Sequence, residues 1–375
     1  MAPLNVGLMG YGFSAKSFHL PFILPNPDLK VYAILQRTLV PSGKSNVGVG
    51  HHCKIDFPDA KHYFRIDEFF ADVNIDIVII CTPHDTHAQF AEQALLAGKH
   101  VVVEKPFTVS TAEADRVIAT AKKSGKILTV FQNRRYDSDF RTLHYLVQKS
   151  AFGPITECEI HYDVDFPFWM SSWKSPDWSP GQGMMYGLGS HTIDQALLLF
   201  GRPASVTGFF RSLRDVESKT DDTFTIFLQY SGEKKNLFVT VKTSVVTTMQ
   251  YPLKFFVRGY TGSFIKYGDD RQESQIAAGQ TVRSTGFGVE CEKTYGLLTT
   301  KERVHESQVL DVGSGKWVGK FPSLKGEYAQ FYTDLVKTIR GEEKLVVMPE
   351  QSRDGIRIIE IARESAEKGC TLPFN

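Results

Sequence analysis

Short apolar runs alternate with helix-period segments over the first third of the chain. Asn5–Met9, Leu29–Leu35, Ile75–Ile80, His100–Val103 and Lys126–Val130 carry the apolar runs expected of parallel strands buried on both faces. Ala88–Ala97, closed by Gly98, and Thr111–Ser124 repeat apolar positions at helical spacing. This βαβ succession predicts a doubly wound parallel sheet over residues 1–130. From Glu157 onward the rhythm changes. Val206–Phe210, Thr223–Tyr230, Asn236–Val246 and Leu253–Gly259 follow one another with turns between them. They predict a second α/β domain over 131–375 with an open, largely antiparallel sheet. Asp354–Glu367, closed by Gly369, reads as a terminal amphipathic helix. A length of 375 residues exceeds what one core usually holds, which agrees with two domains.

The strand ends carry the candidate chemistry. After the first run comes Gly10-Tyr11-Gly12-Phe13-Ser14-Ala15, a G-x-G-x-x-A dinucleotide fingerprint. Gly10 permits the tight turn, Gly12 lets backbone N–H groups approach a pyrophosphate, and Ala15 allows close helix packing. The second strand ends in Gln36-Arg37-Thr38 rather than in the acid that would hold a ribose 2′-hydroxyl. A guanidinium there suits a 2′-phosphate, so NADP(H) is expected over NAD. Ser42-Gly43-Lys44-Ser45 resembles the tail of a phosphate loop but lacks the earlier glycine, because Thr38 stands there; Ser42 or Lys44 is a candidate for the 2′-phosphate. Glu104-Lys105-Pro106 ends the fourth apolar run and puts a lysine at the carboxyl edge of the sheet, where such folds bind ligands.

Charge and cysteine usage narrow the classes. Forty-three basic and 42 acidic residues leave no field for nucleic acid or an anionic membrane. No run approaches a membrane span, and no leader pattern precedes the first strand, so a cytosolic protein is expected. The five cysteines are odd in number and lack a C-x-x-C pair, as reduced thiols do. His51-His52-Cys53 reads as a polar loop, and no metal is expected.

Taken together, the fingerprint, Thr82-Pro83 with His87, Ala97-Gly98-Lys99-His100 leading to Glu104-Lys105-Pro106, and Gly189-Ser190-His191 with Asp194 resemble the Gfo/Idh/MocA oxidoreductase family. Asn133-Arg134-Arg135-Tyr136-Asp137, His191–Leu197 and Gly262–Gly268 are similar to its NADP-dependent scyllo-inositol dehydrogenase branch. The resemblance implies a Rossmann domain followed by an α/β domain that supplies a substrate pocket and a dimer face. It implies that Lys105 lies near the reacting carbon and that His191 exchanges the hydroxyl proton. It places Gly10, Gly12, Phe13, Ser14, Ala15, Arg37, Thr82, Pro83, His87, Glu104, Lys105, Asn133 and Arg135 around the cofactor. A histidine near neutrality suits the proton step, and an ammonium polarises the oxygen where charge develops.

Two departures from the family pattern stand out. The family commonly carries an aspartate four residues before its histidine, and here that residue is Gly187. Tyr186, Asp163 or Asp165 could take its place. The sugar-processing branch tends to have arginines where this chain has Asp163–Met170, followed by Trp173 and Trp178. Asp163, Phe166, Trp169, Trp173 and Asp194 are therefore expected around the substrate, although packing beneath a loop or at a subunit interface would explain the aromatics equally well. The expectation is an NADP(H)-dependent oxidoreductase acting on a cyclic polyol, sugar or ring ketone, as a homodimer or higher homo-oligomer. The alternatives are a reductase of a less polar carbonyl or imine, and an NADP-binding sensor with impaired catalysis.

Overall fold

The computed structural model describes residues 1–39, 50–167, 170, 173 and 175–375; Ser42, Lys44 and Trp169 lie outside the described residues. The chain forms two compact units. The first comprises residues 1–133, 272–287 and 327–353, and the second 134–271, 288–326 and 354–375. The first crossing lies close to the expected boundary at 130, but the second domain is not the single continuous stretch 131–375. The chain returns twice to the first unit.

Six parallel strands make the sheet of the first unit: β1 (Leu4–Met9), β2 (Leu29–Leu35), β3 (Lys61–Tyr63), β4 (Ile77–Ile80), β5 (His100–Val103) and β6 (Leu128–Val130), in the order β3-β2-β1-β4-β5-β6. That reversal of strand order beside β1 is the doubly wound arrangement, whose ligand crevice opens at the carboxyl ends. Every residue of β4 is buried, because helices cover both faces of such a sheet. The helix Thr111–Ser124 starts where Ser110 accepts the Glu113 N–H and Glu113 accepts that of Val109. It stops at Gly125, whose φ of 65° is left-handed.

The second unit is built on a ten-stranded sheet. Its members are β7 (Ile155–His161), β8 (Ser205–Arg211), β9 (Thr223–Gln229), β10 (Phe238–Thr243), β11 (Leu253–Gly259), β12 (Gly262–Tyr267), β13 (Gly296–Thr300), β14 (Val309–Asp311), β15 (Lys316–Phe321) and β16 (Leu372–Pro373). The order is β14-β15-β13-β12-β11-β7-β10-β9-β8-β16, and only β7 with β10 is parallel among the described pairs. The strands alternate as a half-covered sheet requires: Phe224, Ile226 and Leu228 of β9 are buried, whereas Thr223, Thr225 and Phe227 face outward. The inner face packs with Ile193, Ala196 and Leu197 of the helix Ser190–Phe200 and with Ile358, Ile359 and Ala362 of the helix Pro349–Lys368.

Candidate cofactor and active site

The turn after β1 is shaped by what surrounds it. Gly10 has a φ of +104°, and a Cβ there would stand 2.6 Å from the Cys81 carbonyl oxygen, so only glycine fits. Gly12 differs: a Cβ would meet no protein atom within 4 Å. It faces a cavity of about 670 Å³ lined by Gly10, Gly12, Arg37, Thr38, Thr82 and Pro83, among others. A glycine that no neighbour demands, on the rim of a cleft at the carboxyl ends of parallel strands, fits a ligand whose phosphates approach the backbone. Phe13 is exposed and stands edge-on to Phe18, while Ala15 is buried at the start of the π-helical turn Ala15–His19.

Glu104 is the hub behind this loop. Its Oε1 accepts from Ser14 Oγ at 2.5 Å and from His19 Nε2 at 2.9 Å, and its Oε2 accepts the Lys105 backbone N–H at 3.0 Å. The Tyr332 hydroxyl lies 2.5 Å from His19 Nδ1. Burial alone would push the Glu104 carboxyl up, but hydrogen bonding and charge from His19, with Lys105 and Ser14, hold it at about 2. Burial would likewise lower His19, yet Cys81, Tyr332 and Glu104 raise it well above the usual histidine range. Burial pushes the Tyr332 phenol upward, so at neutral pH it keeps its proton and Glu104 is the charged partner of His19. The carboxylate expected at the cofactor therefore points inward, joining the glycine loop to Lys105 as a positioning residue. His19 and Tyr332 went unread in the sequence: a histidine four residues past Ala15 carries no local signal, and its partner is 313 residues away.

His87 is buried at the head of the helix His87–Leu96, its ring nitrogens 2.9 Å from the Pro106 carbonyl and 3.0 Å from the Thr82 carbonyl. Burial lowers its pKa, against the pull of the Pro106 and Thr82 carbonyls. Its ring lies between the Thr82-Pro83 turn and the segment after Lys105. Lys105 precedes Pro106 across a cis peptide bond, and Asn133 is buried at the end of the first stretch of this unit.

Arg37 is exposed on the cavity wall, and the strand tail that carries it is pinned on every side. Gln36 N–H donates to the Tyr63 carbonyl at 3.1 Å, and Gln36 Oε1 accepts the Cys53 N–H at 2.9 Å. His62 Nε2 donates to the Gln36 carbonyl at 3.0 Å and His52 Nε2 to that of Thr38 at 3.1 Å. This corrects the reading of His51-His52-Cys53 as a polar loop, because His52 and Cys53 are buried.

In the second unit the π-helical turn Met185–Gly189 leads into Ser190–Phe200, which carries His191 and Asp194, both buried. The turn is held by Asp221, whose backbone carbonyl accepts from Met184 N–H at 3.0 Å and whose Oδ2 accepts from Met185 N–H at 2.8 Å; Arg363 pairs with its other oxygen. Tyr186 is buried and its phenol is pushed up to about 12, so it is a hydrogen-bond donor rather than a base at neutral pH. A Cβ on Gly187 would meet nothing within 4 Å, so packing does not demand a glycine at this position. Arg135 and Asp194 form a buried fork, Nε to Oδ2 at 2.7 Å and Nη2 to Oδ1 at 2.6 Å. The structure thus joins a residue expected at the cofactor to one expected at the substrate. Asp163 Oδ1 accepts the Ser244 N–H at 2.8 Å, and Phe166 is exposed at a φ of 34°. Trp173 and Trp178 pack on the core of the unit, which favours the packing explanation for these two aromatics.

Comparison with known proteins adds lineage. The family described as "Oxidoreductase family, NAD-binding Rossmann fold" matches residues 4–132, and the "GFO/IDH/MocA C-terminal domain" matches 140–265. An uncharacterised oxidoreductase of Schizosaccharomyces pombe is 34% identical over 100% of both chains. The scyllo-inositol 2-dehydrogenase (NADP(+)) IolW of Bacillus subtilis is 32% identical over 98% of this chain and 95% of its own. The mouse trans-1,2-dihydrobenzene-1,2-diol dehydrogenase is 25% identical over 61% of this chain and 66% of its own. The solved structure of the oxidoreductase yvaA from Bacillus subtilis superposes with a TM-score of 0.86 at 30% identity, covering 100% of this chain and 99% of that one.

Proposed function

Because the chain belongs to the Gfo/Idh/MocA family of oxidoreductases, with an NAD(P)-binding Rossmann domain, we propose that it uses NADP(H) to interconvert a hydroxyl and a carbonyl on a cyclic polyol, sugar or related ring ketone. The observation that carries the cofactor choice is Arg37 on the cavity wall at the end of β2, where no acidic side chain stands. The nicotinamide supplies or accepts the hydride. Gly12 leaves room for phosphates at the loop, and Glu104 holds Ser14 and the Lys105 backbone in fixed register. Lys105 is assigned to polarise the substrate oxygen, and His191 to donate or take its proton. The name of IolW supports a cyclic polyol.

A less polar substrate is the second reading. The open space at Gly187 and the dihydrobenzene diol named for the mouse relative favour it. A panel of inositols, aldoses and apolar ring ketones, run with NADPH, NADP, NADH and NAD, tests both. Turnover on a panel member with at least about tenfold tighter binding of NADPH than NADH, or roughly 1.4 kcal/mol, is expected. Equal affinity for both cofactors would refute the NADP assignment. Tight NADPH binding without turnover on any substrate would favour a sensor.

A further inference from the structure

Outside the cofactor cavity, the first unit gathers three metal-ligating side chains that the proposed reaction does not use. His52 and Cys53 lie at the start of the short helix Cys53–Asp56, and His62 lies in β3. One ring nitrogen of each histidine and the Cys53 sulfur all fall within 4.8 Å of one another. The two rings stand nearly perpendicular, with centroids 5.0 Å apart.

Each histidine already has the outer partner that a ligating imidazole needs. Nε2 of His52 donates to the Thr38 carbonyl and Nε2 of His62 to the Gln36 carbonyl, which leaves each lone pair on Nδ1. A backbone carbonyl on the far nitrogen fixes the tautomer and the ring orientation of a metal-bound histidine. Cys53 is fixed in turn through its N–H to Gln36 Oε1. His52 Nδ1 accepts the Lys54 N–H at 3.1 Å, a bond that an ion at this nitrogen would replace. Two imidazoles and a thiolate suit zinc-class ions, whereas magnesium and calcium prefer oxygen ligands.

We propose that His52, Cys53 and His62 form a three-ligand site for a zinc-class divalent ion, with the fourth position open to water. On binding, the Cys53 thiol releases its proton to solvent as the sulfur–metal bond forms, and no redox change accompanies it. All three ligands are anchored to Gln36 or Thr38, on either side of Arg37, so an ion here braces the strand tail that lines the cofactor cavity.

The test is titration of the chelator-treated full-length protein with Co²⁺, followed by displacement with Zn²⁺. One equivalent should bind and give a thiolate-to-cobalt charge-transfer band. Cys53→Ser should abolish the band, and His62→Gln should weaken binding by more than the roughly 10–100-fold that loss of an outer-shell partner costs. His51→Gln, at the exposed neighbour, should leave both unchanged. Circular dichroism of each metal-free variant establishes that it is folded. Absence of stoichiometric binding to the wild type overturns the proposal. So does binding that survives unaltered in folded Cys53→Ser and His62→Gln, the signature of an adventitious ion only.

Discussion

At the scale of single residues, Glu104 does its work by facing away from the cavity. His19 is its buried counter-charge, so His19→Ala leaves a carboxylate inside the unit without its ion-pair partner. The expected loss is about 3–5 kcal/mol in denaturant unfolding. The pH dependence follows from the two shifts. Glu104 is lowered to about 2, so its contribution is present above its ordinary value near 4.5 and fades as pH falls toward 2. His19 is raised, so its contribution is present below about 6.5 and is lost as pH rises through its elevated value. The gap between wild type and variant should therefore be widest near pH 4.5–6.5. A gap below about 1 kcal/mol, or one that widens at pH 2, would refute the ion pair. Gly187 gives the second test at this scale. A Cβ there meets no atom within 4 Å, so Gly187→Asp should fold normally and its effect should be electrostatic. Raised turnover on cyclic polyols marks an impaired polyol enzyme, whereas reduced turnover on an apolar ketone marks a pocket adapted to that substrate. The proposed polyol chemistry predicts the first outcome, and reduced turnover on an apolar ketone without a gain on polyols would favour the less polar substrate instead. The turn at Gly10 and the positions of Arg37 and Lys105 just past the ends of β2 and β5 were legible in the sequence because their signals are local. The His19–Glu104–Tyr332 set was not, since only folding brings residues so far apart in the chain together.

Elements show the same division between local and distant causes. β2, β5 and β11 and the helix Thr111–Ser124 have the bounds that their apolar runs and caps predict. β3 escaped because Lys61-His62-Tyr63 is short and polar, an edge strand fixed by pairing with β2 rather than by its own pattern. The π-helical turns at Ala15–His19 and Met185–Gly189 also escaped, since a widened turn has no periodicity of its own. The loop between β1 and the first of these turns offers a clean separation of fold from binding. Gly10→Ala forces a side chain onto the Cys81 carbonyl at a φ of +104°, and should cost about 1–3 kcal/mol as well as NADPH affinity. Gly12→Ala meets no protein atom, so stability should stay within about 0.5 kcal/mol while NADPH affinity falls at least about tenfold. Thermal melts with fluorescence titrations measure both. A Gly12→Ala variant with intact NADPH affinity would remove the loop from the cofactor site.

For the whole molecule, alternation of strands and helices made the fold class readable, but the division of the chain was not. Residues 272–287 and 327–353 belong to the first unit because their partners lie there, as Tyr332 with His19, Val347 with Thr129 and Arg353 with Asp115 make plain. No composition shift marks those returns. No described helix is long and apolar enough to cross a membrane. We propose a homodimer, and the outer face of the second unit's sheet gives it a physical basis. Phe209, Phe227 and Phe238 form a row across β8, β9 and β10, with ring centroids 6.0 and 5.3 Å apart. Phe209 and Phe238 are exposed. Aromatic residues grouped on an exposed face are costly to leave in water and are enriched where subunits meet. A homodimer formed through this face should give twice the chain mass in light scattering at micromolar concentration. Phe209→Glu combined with Phe238→Glu places like charges on the self-complementary face and should yield monomers whose circular dichroism is unchanged, since both side chains already contact solvent. A monomeric wild type, or a double variant that stays dimeric, would take the interface away from this sheet.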